Sequence, residues 1–242
     1  MNKEGAEPTS AEAAADPAPQ PLNILDAVCV LYFTASGQLS LLVEILAAAN
    51  YKILLPTEVL KEVRDKAKRQ RWNIGALDRY LHQGADVRII EIPEISAAQT
   101  EAAILLAQVR SRHPNVVDGR TAASSSADLG ECVVVTHGIL AHRRGLAAVV
   151  AIDDLKGQTL ARRHQVTCFT IEDAFSLALE HGLLDTLSAR KAYEKLRRYG
   201  DSLPTWEAEL KSRLKRERAA RKRAASATNA PTGGDASESS DR

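Results

Sequence analysis

Short apolar runs alternate along this chain with stretches of helical periodicity, and that alternation constrains the fold more than any other feature. Residues 22–29, 53–55, 87–92, 146–152 and 166–169 read as strands. Residues 39–49, 57–70, 97–109, 128–142, 155–163 and 171–181 read as the helices around them. Such a rhythm predicts an α/β protein whose sheet is parallel, with right-handed crossovers and helices on both faces. Pro56 stops the second strand, and Thr57 is the expected N-cap of the helix after it. Helix 128–142 has few polar positions, so it is expected to be buried on most sides.

Charge divides the chain into segments. The formal net charge is only +1, yet residues 1–21 carry −3, 22–187 carry −2 and 188–242 carry +6. The first 21 residues, rich in Ala, Pro and Glu, and residues 224–242, rich in Ser, Ala, Gly, Thr and Asn, offer little to bury and are expected to be disordered tails. A globular domain is expected over 22–187, followed by a basic helical extension over 188–223. That extension reads as helices 188–199 and 205–223, separated by Gly200 and Pro204. Residues 211–223 hold eight basic side chains against the single acid Glu217. Such a run is either a solvated helix or an electrostatic contact with a phosphate backbone. The scarcity of aromatic residues there gives base stacking little support.

Overall composition, 45% hydrophobic and 26% charged, excludes a wholly disordered, collagenous or coiled-coil chain. The three cysteines, Cys29, Cys132 and Cys168, lie far apart with no C-x-x-C pair, which argues against a disulfide framework or structural zinc. Each is expected to be a small buried hydrophobe. The apolar runs fall far short of the roughly 20 residues that span a bilayer. No secretory signal pattern opens the chain. A cytoplasmic protein without membrane contact is expected.

Acids at the ends of strands and the starts of helices carry the functional signal. Asp26 interrupts the apolar run after residue 22, and a carboxylate inside a buried strand is costly unless paired or bound to metal. On a helical wheel of about 100° per residue, Glu62 borders the stripe formed by Val59, Leu60 and Val63, while Glu58 and Asp65 point further into solvent. Glu131 opens helix 128–142, and Asp153 and Asp154 close the most apolar strand. Parallel strands share one C-terminal edge, where ligands usually bind, so acids distant in sequence would meet there. Capping offers another account of two of them. Asp128 and Glu131 have capping-box spacing, and Asp153 could cap the helix at 155. Glu62 could equally be a solvated helix residue.

The stretch Leu25-Asp26…Leu31…Gly37-Gln38-Leu39…Leu41-Leu42…Leu55-Pro56…Val59…Glu62-Val63 resembles the opening of a PIN domain. Asp128-Leu129-Gly130-Glu131, then Ile152-Asp153-Asp154 with Ala161-Arg162, continue the likeness to a bacterial, toxin-type branch of that family. Val166-Thr167 and the segment from Leu177 to Leu184 complete it, so the resemblance covers about residues 22–185. It implies a PIN-like three-layer α/β/α fold with a central, mainly parallel sheet, here followed by C-terminal helices.

The resemblance further implies a metal-dependent ribonuclease in which Asp26, Glu62, Glu131 and Asp154 converge on Mg²⁺ or Mn²⁺. Asp153 takes the last place if that match shifts by one. An all-carboxylate donor set suits hard cations, which activate water and stabilise charge developing on a phosphate. RNA is then the substrate. An antitoxin protein and a second copy of the chain are the implied protein partners.

Arg110, Arg112, His113 and Arg120, with Lys66, Lys68, Arg69 and Arg71, could flank the backbone or be ordinary loop and helix-end charges. Where the family carries supporting hydroxyls, this chain has Val28 and Ile152. Their loss favours a second reading, a catalytically degenerate scaffold that binds RNA or protein. A phosphate-accepting receiver domain is a third, but it needs paired acids at the first strand, where Asp26 stands alone.

Overall fold

The computed structural model describes residues 19–83, 87–90, 97–113, 129–200 and 203–208. Its centre is a five-stranded sheet of β1 (Leu22–Leu25), β2 (Lys52–Pro56), β3 (Val87–Ile90), β4 (Ala148–Ala151) and β5 (Thr167–Phe169). The strand order is β3-β2-β1-β4-β5, and all four ladders are parallel. Strand β1 lies in the middle, with Ile24 opposite Leu54 on one side and Val150 on the other.

Nine helices among the described residues flank the sheet, giving three layers. Helices α1 (Ala27–Ala35), α2 (Leu39–Ala48), α8 (Ile171–Glu180) and α9 (Thr186–Arg197) pack on one another. Helix α6 (Leu129–Arg143) covers β1, β2 and β4 and is contacted by α3 (Thr57–Gln70), α5 (Ala97–Ser111) and α7 (Leu155–Arg163). The short helix α4 (Gly75–Gln83) packs beside β3. The α/β reading thus holds, and the sheet is wholly rather than mainly parallel.

Several local expectations change. The apolar run at 22–29 is not one strand, because β1 ends at Leu25 and α1 starts at Ala27. Six of the nine α1 side chains are buried, so its apolar positions go round the helix and no helical period shows in the sequence. Asp26 stands between the two elements and caps α1, its Oδ2 accepting from the Val28 amide at 3.3 Å. The expectation of a carboxylate lodged inside a strand with no capping role is therefore corrected. Thr57 is the first residue of α3 rather than its cap. Extended Pro56 takes the cap position, and the Thr57 hydroxyl donates to the Ile90 carbonyl. Helix α4 was not expected. Cys29 and Cys132 are buried thiols outside any disulfide, whereas Cys168 is only partly covered.

The described part of the C-terminal extension packs into the same core as the sheet. Ala189, Tyr193 and Leu196 of α9 are fully buried there, joined by Leu203 and Trp206. Phe33 stacks on Phe175, Phe175 meets Tyr193 edge-on, and Tyr193 meets Trp206, with centroids 5.4–6.2 Å apart. Residues 1–18 and 209–242, with nearly all of the first predicted tail, all of the second and the whole basic stretch 211–223, lie outside the described residues, as do Arg120 and Asp128. No helix among the described residues is long and apolar enough to cross a membrane.

Candidate active site

Strand order places the acids. The order in which strands are added reverses between β1 and β4, since β2 and β3 follow on one side of β1 while β4 and β5 lie on the other. The crevice above such a reversal is where open parallel sheets bind ligands. Asp26 follows β1 directly and is 2% exposed, its amide donating to Ala151 at the end of β4. Asp153 stands two residues past β4 and accepts from the Ile171 amide at 3.4 Å.

Burial, reinforced by Glu62, pushes the Asp26 carboxyl up to about 6, against the pull of the Ala27 and Val28 amides and of Lys66. Burial also lifts Asp153 to about 7, with Glu172, Asp26 and Asp154 adding to it and the Ile171 amide opposing. Two carboxyls that water would leave ionised thus titrate near neutrality because Asp26 is buried, Asp153 is half-buried and each faces further acids. The buried Cys29 thiol lies in the same field. Desolvation, then Asp153 and Asp26, hold it well above its ordinary range.

Glu62 reaches this edge from α3, as the wheel predicts. Its Oε1 accepts from Lys66 Nζ at 2.6 Å, one turn on. Its Oε2 lies over Gly130 in the first turn of α6, where a Cβ would run into it and would stand 3.6 Å from Asp26 Oδ1. Glycine is what lets the two carboxylates share that space. Beside it runs a cavity of about 390 Å³ lined by Lys61, Lys66 and Arg69 of α3, by Glu58, Glu62 and Asp65 of the same helix, and by Leu129 and Gly130.

Glu131 points the other way along α6. A Cβ on Gly157 would stand 3.1 Å from its Oε2 and 2.6 Å from the Ile152 methyl Cγ2, so a second glycine opens room for it. His113 Nε2 lies 3.1 Å from the same Oε2. Asp154 meets that corner as well, but as a cap. Its Oδ2 accepts from the amides of Lys156 at 2.7 Å and Gly157 at 3.1 Å. Capping thus occupies Asp154 rather than Asp153, and it is Asp153 that interacts with Asp26.

The five acids therefore line one edge in two groups, Glu62–Asp26–Asp153 and Glu131–Asp154. Among the described residues, no three of His, Cys, Asp and Glu stand close enough together to hold a metal ion. Two neighbours escaped the sequence reading. Glu172 sits in a T-x-x-D capping segment and looks like a helix-start acid, and it reaches Asp153 only because β5 pairs with β4. His113 looked like a loop charge but is 4% exposed. A scan against protein families gives no match, and no curated protein matches the chain in sequence.

Proposed function

We propose that the protein is a metal-dependent endoribonuclease working at this acidic edge, with RNA as substrate. The observation that supports it best is the buried carboxylate of Asp26 and the half-buried one of Asp153, flanking the β1–β4 reversal, with Glu62 leaning on Asp26 over Gly130. In this reading Asp153 takes the place that the resemblance gave to Asp154. The acids do not make an all-protein cage, but Mg²⁺ rarely asks for one. It keeps several waters and takes one or two carboxylates plus substrate phosphate. Asp26 and Glu62 would hold it directly, and Asp153 and Glu131 through water.

A bound Mg²⁺ or Mn²⁺ supplies an activated water and charge stabilisation at the phosphate. The chain's own groups do the rest. Asp153, titrating near neutrality, suits the taking and returning of a proton. Lys61, Lys66 and Arg69 along the adjoining cavity offer cations to the phosphates on either side. A toxin role, with an antitoxin partner and a homodimer, follows from the resemblance alone.

Lys66 supports a second reading, a non-catalytic RNA-binding or protein-binding module, because its ammonium already neutralises Glu62 beside Asp26. A metal-titrated assay on generic single-stranded RNA separates the two. Mn²⁺-dependent cleavage should appear and fall on the order of 100-fold in Asp26→Asn. Cleavage surviving a chelator and that substitution overturns the metal site, and binding without cleavage in every metal favours the module.

A further inference from the structure

We propose that His113 is a positioning residue of this edge, holding Glu131 in one orientation for the hydrolysis. The proposal rests on the nuclease reading above. His113 is a buried imidazole from outside the sheet layer whose Nε2 meets a carboxylate oxygen at 3.1 Å. With Glu131 ionised the carboxylate only accepts, and Nε2 is then the donor in this contact.

The backbone that presents His113 is itself fastened. Its amide donates to the Arg110 carbonyl, and the Arg112 amide to Val109, winding the end of α5 into tight turns. Val109 is fully buried beneath them. From α7, Arg163 Nη1 donates to the Arg112 carbonyl at 2.8 Å. The ring therefore approaches Glu131 from a turn tied to α5 and α7 alike. Gly157 stands close to the same carboxylate, since any side chain there would crowd Glu131. A Glu has three side-chain torsions, and without such a clamp its carboxylate would sample many directions. Partners of this kind, one contact removed from the reacting atoms, typically matter 10- to 100-fold.

His113→Leu removes the contact at similar bulk, and His113→Gln keeps an N–H near the Nε2 position. With Mn²⁺ and single-stranded RNA, His113→Leu should lower kcat about 10- to 100-fold with KM nearly unchanged, and His113→Gln should recover most of it. In the Glu131→Gln background, His113→Leu should cost little more, because the two act as one unit. A second readout needs no turnover. Imidazole ¹⁵N spectra, with His113 identified by its loss in His113→Gln, should show a protonated Nε2 whose shift moves in Glu131→Gln.

An active wild type with His113→Leu within twofold of it overturns the proposal and leaves the nuclease reading intact. So does an unprotonated Nε2, or an equal loss from His113→Leu with and without Glu131. If His113→Leu does not fold, a His113→Gln variant as inactive as Glu131→Gln overturns it too. A wild type inactive with every metal removes the nuclease reading and this proposal together.

Discussion

Asp26 combines a cap, a buried charge and a central place among the acids, and these roles make opposite demands. As N-cap its oxygen stabilises α1, a contribution that Asn would keep. As a dry carboxylate beside Glu62 it resists ionisation, with a folded-state value near 6 against 3.8 unfolded. Below about 4 the group is protonated in both states, and above about 6 it is ionised in both. Between those limits only the folded chain holds the proton, so stability falls as pH rises through the window. Asp153 extends the decline toward 7. Asp26→Asn removes its share, so the variant should exceed wild type above pH 6 by up to ~3 kcal/mol, with the gap closing toward pH 4. Urea melts at several pH values measure it, and a gap that does not vary with pH would show that Asp26 is not buried as described. Saturating Mn²⁺ should raise the melting temperature of wild type more than that of Asp26→Asn, because a cation stabilises the state that binds it. Equal rises in the two proteins would put the metal elsewhere.

At the scale of elements, the site depends on how closely α6 and α7 approach the sheet. Gly130 and Gly157 stand in the first turns of these helices, where glycine otherwise costs about 0.5–1 kcal/mol relative to alanine. At Gly130 an added methyl meets the tip of the Glu62 side chain, which can swing aside. Gly130→Ala should therefore leave the fold as stable or slightly more so, yet displace Glu62 and depress the Mn²⁺-dependent activity. Activity at the wild-type level in a folded Gly130→Ala protein would mean that Glu62 does not work from this position. At Gly157 the added methyl meets Ile152 Cγ2 at 2.6 Å in the core as well as Glu131. Overpacking a tight core typically costs 1–3 kcal/mol, so Gly157→Ala should lower stability and activity together. A thermal melt beside the nuclease assay separates the two substitutions.

Across the whole molecule, α9 belongs to the fold. Removing residues 186–242 would uncover the aromatic chain from Phe33 through Phe175 and delete Tyr193 and Trp206 from its end. Truncating one large aromatic side chain typically costs ~3–5 kcal/mol. Losing two would consume much of the 5–15 kcal/mol of an ordinary domain. Chain 1–185 should therefore lack a cooperative unfolding transition, while chain 1–208 should melt like the full protein. Matching melts for the two truncations would contradict the packing of α9. The shorter deletion also tests the basic stretch. If it holds an RNA backbone, chain 1–208 should show a flatter salt dependence of binding, by about 0.7 in log–log slope for each phosphate released. Identical slopes would leave that stretch to a protein partner.

The α/β class, the run of strands and helices from residue 39 onward apart from α4, and the candidacy of Asp26, Glu62, Glu131 and the Asp153–Asp154 pair were legible in the sequence. Apolar spacing and strand-ending acids are local patterns, and local patterns survive in one dimension. The sequence could not separate β1 from α1, because an all-apolar helix shows no period. Nor could it choose between Asp153 and Asp154. Adjacent residues have the same neighbours along the chain, and only the start of α7 commits Asp154 to two amides while turning Asp153 toward Asp26. The contacts of Glu172 and His113 were invisible for a related reason. Their closeness to Asp153 and Glu131 depends on the pairing of β5 with β4 and on where α5 ends against α7. Contacts across tens of residues are set by register and packing, and no local spacing encodes them.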